Sequence, residues 1–212
     1  MRAKSETRRL AILETATQVF QETGFERTTM SAICERLGYS KATLYNYFPS
    51  KEELFSAVVF DATEEEFQAT QAALDPTMTD LTQALELFGQ RLLTLLYSPQ
   101  VQAVRRLMVS EAGRSDLGQK CYELGPVRSE ADTAAFLQHA MDAGHMRPAD
   151  PRLAAVHLRG LLEAEWVDRF LFQVLDDPSP EAIRATVQRA VAVFMAAYGP
   201  INGATSGPTS AP

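Results

Sequence analysis

Residues 24–48 read GFERTTMSAICERLGYSKATLYNYF, and this stretch contains the pattern that decides the fold. It predicts two helices of about seven residues on either side of a turn at residues 37–40. Two crossing helices must approach closely at their turn, which requires a small residue on the first helix and a residue able to adopt a positive φ in the turn. Cys34 and Gly38 meet these two requirements, so the stretch is predicted to be a helix-turn-helix.

The second helix of this motif has a buried side and an outward side. The apolar positions that join the two helices to each other and to the preceding helix are Ile33, Leu37, Tyr39, Leu44 and Tyr47. Ser40 can cap the second helix, and this leaves as outward residues Lys41, Ala42, Thr43, Tyr45 and Asn46. A small, polar and basic face suits a helix in the major groove of DNA. An ordinary αα-hairpin has the same generic spacing, so the spacing alone leaves both interpretations open.

Residues 7–59 resemble the DNA-binding head of the TetR/AcrR family of bacterial regulators, in order and without gaps. The matching pieces are residues 12–16, Phe20, residues 24–25, residues 28–30, Ile33, residues 37–38, residues 40–48 and residues 50–55. Two positions depart from the commonest family residues, because Cys34 stands where Ala is usual and Tyr39 where Val is usual. Both substitutions keep the physical role of the position.

The resemblance implies DNA contacts for ten residues: Thr29, Ser31, Ser40, Lys41, Ala42, Thr43, Tyr45, Asn46, Tyr47 and Lys51. Thr29 would cap the first helix of the motif and contact a phosphate, and Ser31 would contact a base edge or a phosphate. The hydroxyls of Tyr45 and Tyr47 would touch phosphate or sugar, although Tyr47 also fits the core. Lys51 would hold a phosphate together with the N-terminus of its own helix.

The charge distribution agrees with a head that meets phosphate. The chain has 20 Lys and Arg against 27 Asp and Glu, a net charge of −7. Residues 1–51 contain eight basic and five acidic residues, or +3, which leaves −10 for the remainder. A basic head on an acidic body is the asymmetry expected when only the head binds DNA. The basic residues at the start of the chain (Arg2, Lys4, Arg8 and Arg9) form either an arm onto DNA or a solvated end.

The spacing of apolar residues predicts an all-α protein, because intervals of three and four recur and alternating segments are nearly absent. A first helix is expected from Ser5 to Thr23, ended by Gly24. Residues 50–53 form a capping box that opens a long helix to about Leu74. Further helices are predicted over residues 79–97, 99–113, 151–175 and 180–199, and the stretch from 113 to 144 is predicted to be helical in two pieces with a break at residues 125–126.

Three regions follow from these elements. Residues 1–50 are predicted to form a helix-turn-helix DNA-binding domain. Residues 51–199 are predicted to form a helical ligand-binding and dimerisation domain, connected to the head by the helix that begins at residue 51. Residues 200–212 contain too little apolar surface to offset the entropy of ordering and are expected to be disordered.

The last two predicted helices suit pairing with a second copy. The helix over residues 151–175 has two apolar stripes rather than one, so both sides should be covered. The residues expected at the dimer interface are Gly160, Ala164, Val167, Leu171, Val187, Val191 and Phe194. A dimer is expected because helix-turn-helix proteins pair to bind palindromic sites. Intramolecular core is the alternative for both stripes.

A ligand cavity is expected in the body, with aromatic and Met residues as its lining: Phe88, Leu92, Met108, Phe136, Met141 and Trp166. Plain core is the default interpretation of such stripes, and the sequence does not separate the two. The polar residues nearby show no metal-ligand spacing, so neither a metal nor another cofactor is expected.

These observations predict a DNA-binding transcriptional regulator, and the resemblance implies a homodimeric repressor that a small apolar or amphipathic effector releases from a palindromic operator. An activator role stays open. The alternatives of an enzyme or a helical adaptor without DNA binding are less supported, because no phosphate loop or nucleophile elbow is present and the basic face is intact. No membrane span or secretory signal is expected, and the two cysteines fit a reduced, cytoplasmic protein associated with the nucleoid when bound.

Overall fold

The structure, a computed structural model, describes residues 2–78, 80–111, 113 and 116–200, with only the backbone at residues 2–4. Over these residues the chain is helical and forms no strand, which confirms the all-α class. The predicted disordered tail lies outside the described residues from position 201 onward. The helices are α1 Arg2–Arg27, α2 Met30–Leu37, α3 Lys41–Tyr47, α4 Lys51–Ala62, α5 Glu64–Gln71, α6 Leu81–Leu96, α7 Pro99–Glu111, α8 Leu117–Tyr122, α9 Arg128–Asp142, α10 Pro151–Glu163, α11 Val167–Leu171 and α12 Pro180–Tyr198.

The helices group into two compact units. Among the described residues, the first comprises those up to Phe67 and those from Ser98 to Leu124, and the second comprises those from Gln68 to Tyr97 and those from Gly125 onward. The packing therefore does not divide at residue 50, since α4, α7 and α8 belong to the same unit as α1 to α3. The assignment of DNA binding to residues 1–50 and of ligand binding and dimerisation to residues 51–199 stays a prediction about function.

The first unit contains two apolar clusters. The larger joins α1 to α4 around side chains with no solvent exposure: Ile12, Ile33, Leu44 and Leu54. The smaller joins α4 to α7 and α8 through Val59, Val104, Leu117 and Cys121. Since α4 supplies apolar residues to both clusters, it is fixed on two sides.

A kink at Gly24 interrupts α1. Gly24 has φ 76° and ψ 162°, a conformation that is essentially restricted to glycine. The predicted end of the first helix at Gly24 is therefore confirmed as a break, and helical backbone continues beyond it to Arg27. The hydroxyl of Thr28 donates to the Gly24 carbonyl at 2.8 Å and holds the kinked turn.

The predicted long helix from residue 50 to Leu74 is wrong in its length. It is interrupted at Thr63, whose hydroxyl donates to the Val59 carbonyl at 2.8 Å. The helix restarts as α5, whose first turn is Glu64, Glu65 and Glu66, because acidic residues stabilise a helix N-terminus.

The second unit is built around α6. Helix α12 packs on α6 and on α10, and α10 packs on α9. A methyl group added at Gly89 would lie 2.8 Å from Leu162 Cδ2 and 2.9 Å from Val187 Cγ1. Glycine is therefore required here for close approach, and the core is tightly filled where α6 meets α10 and α12.

Two predicted boundaries in this part of the chain are also wrong. The helix predicted over residues 151–175 ends at Glu163 and restarts at Val167, because Trp166 leaves the helical conformation (φ −124°) while its ring packs edge-on against Tyr97 at 5.0 Å. The break predicted at residues 125–126 is instead a π-helical turn, Glu123–Val127, that contains Pro126 and leads directly into α9. The wider turn accommodates a proline that has no N–H to donate.

Candidate nucleic-acid interface

The first helix of the motif begins at a side-chain cap. Thr29 is extended (φ −121°, ψ 150°), and its hydroxyl accepts a hydrogen bond from the Ala32 amide at 3.1 Å. The predicted cap is therefore present. Thr29 is exposed and Ser31 is half-buried, so both lie at the surface at the start of α2.

The turn between α2 and α3 has the predicted geometry. Gly38 is left-handed (φ 68°, ψ 19°), and its amide donates to the Cys34 carbonyl at 3.1 Å. The Cys34 thiol is buried and donates to the Tyr39 carbonyl at 2.8 Å. Cys34 thus fills the small-residue position and also ties the turn to α2, a role that alanine could not supply.

Helix α3 is anchored on one side and exposed on the other. Ser40 accepts from the Thr43 amide at 3.1 Å and caps the helix, while Leu44 is fully buried. The opposite side presents Lys41, Ala42, Tyr45 and Asn46, all of them exposed, and Thr43 is half-buried beside the cap. The outward face predicted from the sequence is therefore at the surface, and its contact with DNA stays a prediction.

Lys51 differs from the other predicted contacts. Its ammonium donates to the carbonyls of Phe25 at 2.9 Å and Glu26 at 3.4 Å, and lies 4.2 Å from the centre of the Phe25 ring. These carbonyls follow the kink at Gly24, so Lys51 ties the start of α4 to the end of α1. A phosphate contact by Lys51 stays a prediction, and it would compete with these bonds.

Tyr47 packs in the core and keeps its hydroxyl near the surface, and its contact with phosphate or sugar stays a prediction. Its ring packs on the head core, and its hydroxyl donates to the Ser5 hydroxyl at 3.3 Å near the surface. Arg9 lies 5.9 Å from the centre of the Phe48 ring, so this member of the basic N-terminal group contacts the core. The side chains of Arg2 and Lys4 lie outside the described residues.

An ion pair joins α1 to α2, the first helix of the motif. Arg36 on α2 donates to both carboxylate oxygens of Glu22 on α1 at 2.8 Å, and this hydrogen bonding lowers the pKa of Glu22.

The predicted capping box at the start of α4 is only half formed. Ser50 accepts from the Glu53 amide at 3.1 Å, but the Glu53 carboxylate binds the Lys120 ammonium at 3.1 Å.

The six predicted pocket residues are divided between the two units. Five lie in the tightly packed core of the second unit: Phe88, Leu92, Phe136, Met141 and Trp166. Met108 packs against the smaller cluster of the first unit, and its part in a ligand lining stays a prediction. A cavity of about 520 Å³ does occur in the second unit, and of the six it touches Phe136.

Three of the predicted dimer residues are also wrong. Val187, Val191 and Phe194 have no solvent exposure within one chain, because α12 turns this face toward α6 and α10. They cannot meet a second copy without unpacking the core. Gly160, Ala164 and Leu171 are exposed, and Val167 is half-buried.

An exposed apolar surface does exist on α10 and α12. On α10, Leu153 is 52% exposed and Val156 is 45% exposed. On α12, Val193 is 54% exposed, flanked by the exposed alanines Ala192 and Ala196. These α12 residues were not predicted from the sequence, because the larger side chains of that helix define a different face.

Two kinds of feature are absent from the described part of the chain. No helix there is long and apolar enough to cross a membrane. No three His, Cys, Asp or Glu side chains there form a group that could hold a metal ion.

Comparison with known proteins gives matches over most of the chain. The family described as bacterial regulatory proteins, tetR family, matches residues 12–58, and the family described as AefR-like transcriptional repressor, C-terminal domain, matches residues 83–200. The HTH-type regulator YfiR of Bacillus subtilis is 31% identical over 153 residues, which cover 68% of this chain and 70% of YfiR. UidR of Escherichia coli, another HTH-type transcriptional regulator, is 29% identical over 157 residues, covering 65% of this chain and 79% of UidR.

Solved structures agree with these matches. A TetR-family transcriptional regulator from Mesorhizobium loti has a TM-score of 0.78 and 29% identity, covering 92% of this chain and 98% of that one. The flavonoid-responsive regulator FrrA has a TM-score of 0.68 and 31% identity, with the same two coverages.

Proposed function

This chain belongs to the TetR family of DNA-binding transcriptional regulators, and on that premise we propose that it is a homodimeric repressor that a small apolar effector releases from a palindromic operator. On this proposal the protein works in the bacterial cytoplasm and lies on the nucleoid when bound.

The observation that carries the proposal is the division of α3 into an anchored and an exposed side. Leu44 is fully buried, while Tyr45 beside it is 46% exposed and Asn46 is exposed. A rigidly held helix with polar outward residues can read base edges in the major groove. Asn46 is suited to bidentate hydrogen bonding with adenine, and Lys41 carries a charge that no other described residue pairs.

The test uses DNA selected from a random pool and from the region upstream of the chain's own gene. Asn46→Ala should cost about 1–3 kcal/mol of binding free energy on the selected site and relax the base preference at one position. Arg27→Ala, on an exposed residue outside α3, is the matched control and should leave the preference unchanged. Equal loss of affinity for selected and scrambled DNA in Asn46→Ala would refute the placement of the recognition face. A reporter that falls rather than rises on deletion of the gene would replace repression by activation.

Dimerisation is proposed through the exposed apolar surface of α10 and α12, named here the α10–α12 surface (Leu153, Val156, Gly160, Ala164, Ala192, Val193 and Ala196). Exposed apolar residues on adjacent helices favour association because burial removes them from water. Two heads must also be joined to bind two half-sites about 34 Å apart. The buried residues of α12 hold this surface in place from beneath.

Val156→Glu tests the dimer by placing a charge on the α10–α12 surface. Light scattering should show a monomer, and operator affinity should fall at least about tenfold because one head loses the second half-site. Val109→Glu is the matched control, since Val109 is 59% exposed on α7 in the first unit. A Val156→Glu protein that remains a dimer would exclude this surface.

Effector release is proposed from the family and from one relative at 31% identity that is flavonoid-responsive. The physical requirement is linkage, since a ligand shifts the DNA-binding equilibrium only by its difference in affinity for the two forms. Couplings of about 1–3 kcal/mol, or roughly 5- to 150-fold, are ordinary for allosteric proteins.

A further inference from the structure

A groove lies between the end of α5 and the outer face of α9 in the second unit. Its volume is about 520 Å³, within the range of about 300–1,000 Å³ typical of small-molecule sites. Residues from α5 and the turn after it form one wall, and residues spaced by three and four along α9 form the other. The lining consists of Gln68, Gln71, Ala72, Leu74, Pro76, Asp132, Ala135, Phe136 and His139.

Hydrogen bonds hold the two walls of the groove in place. The side-chain amide of Gln71 donates to the Ser129 hydroxyl on α9 at 3.0 Å. Arg91 on α6 donates to the Ala69 carbonyl on α5. Leu74 and Phe136 are buried beneath the groove, so its floor is apolar and packed on the core.

Two hydrogen-bond acceptors in the groove, one on each wall, receive no hydrogen bond from the described residues. Gln71 Oε1 is buried and accepts no hydrogen bond from any residue that the structure describes. The Asp132 carboxylate is exposed, and no hydrogen bond or ion pair joins it to another described residue. A buried polar atom without a partner costs about 1–3 kcal/mol, so a ligand that donates to Gln71 after a rotation of that side chain would recover part of this free energy.

We propose that this groove binds the effector, and that the effector is a ring-containing molecule with hydroxyl donors and no negative charge. The apolar floor at Leu74 and Phe136 would contact the rings, and the acceptors at Gln71 and Asp132 would receive the hydroxyl protons. The Asp132 carboxylate disfavours anionic ligands because no described cation neutralises it. This assignment rests on the proposed release of the regulator by an effector, and it differs from the cavity predicted inside the core.

The experiment is titration calorimetry of the full-length chain with three probes. Apigenin is a flat phenol, flavone has the same ring frame without hydroxyls, and decanoate is an apolar anion. Apigenin should bind, flavone should bind at least about tenfold more weakly (about 1.4 kcal/mol or more) because it lacks the donors for both acceptors, and decanoate should not bind. Gln71→Leu should weaken apigenin binding and leave flavone binding unchanged, and apigenin should still bind more tightly than flavone because Asp132 remains.

Variants of α9 locate the site. Ala135→Trp fills the groove from an exposed position, so it should weaken apigenin binding at least tenfold without disturbing the core. Gln138→Trp is the matched control, because Gln138 is exposed on the same helix but does not line the groove. Equal apigenin affinity in Ala135→Trp and the wild type would overturn the site, and binding of flavone as tightly as apigenin, or of no probe at all, would overturn the ligand class.

Measuring operator binding by the same proteins, with and without apigenin, distinguishes failure of the groove proposal from failure of the proposed repressor function. Apigenin should release the wild type from DNA but not Ala135→Trp. Groove-dependent apigenin binding that leaves DNA affinity unchanged would overturn the effector role of the groove. A chain that binds apigenin in the groove but no operator at all would refute the repressor proposal and leave the binding site standing.

Discussion

Removing the charge of either of two lysines in equivalent positions of the head should have different effects, one on stability and the other on DNA binding. Lys41 and Lys51 each occupy the first position of a helix, directly after a serine cap. Lys41 is exposed, with no hydrogen bond to another described residue, whereas the Lys51 ammonium donates to the Phe25 carbonyl at 2.9 Å and lies 4.2 Å from the Phe25 ring centre. Methionine keeps the length of the side chain and removes only the charge and the donors.

The magnitudes follow from these contacts. A hydrogen bond from a charged group contributes about 1.5–3 kcal/mol, and a partly exposed cation–π contact about 0.5–1 kcal/mol. Because Lys51 is only half-buried, we expect Lys51→Met to lower the free energy of unfolding by about 1–2 kcal/mol, and the Tm by roughly 2–8 °C for a chain of this size. Lys41→Met should leave the Tm unchanged.

DNA binding gives the second measurement. Loss of one phosphate contact lowers the slope of log K against log salt concentration by about one unit. We expect that loss for Lys41→Met and a smaller one for Lys51→Met, as measured by fluorescence anisotropy over a salt series. An unchanged Tm in Lys51→Met together with a full unit of lost slope would refute the reasoning. Lys51 would then bind a DNA phosphate and would not stabilise the head.

Three further predictions concern stability, each measured by thermal and urea unfolding. Gly24→Ala should destabilise the protein by about 1–3 kcal/mol, entirely through backbone strain, because nothing lies within 4 Å of the added methyl group. Gly89→Ala should destabilise it by about 1–2 kcal/mol, since overpacking against Leu162 exceeds the gain of about 1 kcal/mol in helix propensity. Arg189 lowers the pKa of Glu165 by hydrogen bonding, so the stability from this pair is full at neutral pH and is lost as the pH falls through the lowered pKa. Glu165→Gln should therefore flatten the loss of stability as the pH falls below the usual pKa range of a glutamate carboxyl.

Matched controls exist for these changes. Gly118→Ala adds the same methyl group to α8 with nothing within 4 Å, so it should be neutral or slightly stabilising. If Gly89→Ala behaves like Gly118→Ala, the core near α6 is looser than its geometry indicates. Glu14→Gln is the control for Glu165→Gln, because the Glu14 side chain is exposed and pairs with no other described residue. If stability falls with decreasing pH as steeply in Glu165→Gln as in the wild type, the Glu165–Arg189 pair does not cause the pH dependence.

The head was predictable from the sequence because local chemistry determines its form. The caps at Thr29 and Ser40 and the left-handed turn at Gly38 each depend on residues within a few positions of one another. The sequence therefore predicted both the elements and the exposed face of α3. The engagement of Lys51 with Phe25 was missed because the two residues are 26 positions apart, and only the folded head brings them together.

The second unit was less predictable, because residues distant in the sequence determine which face of each helix is buried. The apolar stripe of α12 is compatible with a dimer interface and with core, and the packing of α6 against Val187 decides for core. The break before α11 depends on the packing of Trp166 on Tyr97, 69 residues earlier in the chain. The groove escaped prediction for the same reason, since α5 and α9 contribute residues that share no local pattern.

The burial of both thiols makes them internal reporters of how often the first unit opens. Cys34 lies in the helix-turn-helix, and Cys121 lies between α8 and α4, where burial raises the pKa of its thiol. A thiol reagent can reach each one only during a transient local opening, so its labelling rate measures the free energy of that opening. Operator binding should slow the labelling of Cys34 and leave the labelling of Cys121 unchanged. The two rates would then measure local opening of the recognition turn separately from local opening of the helices around α4.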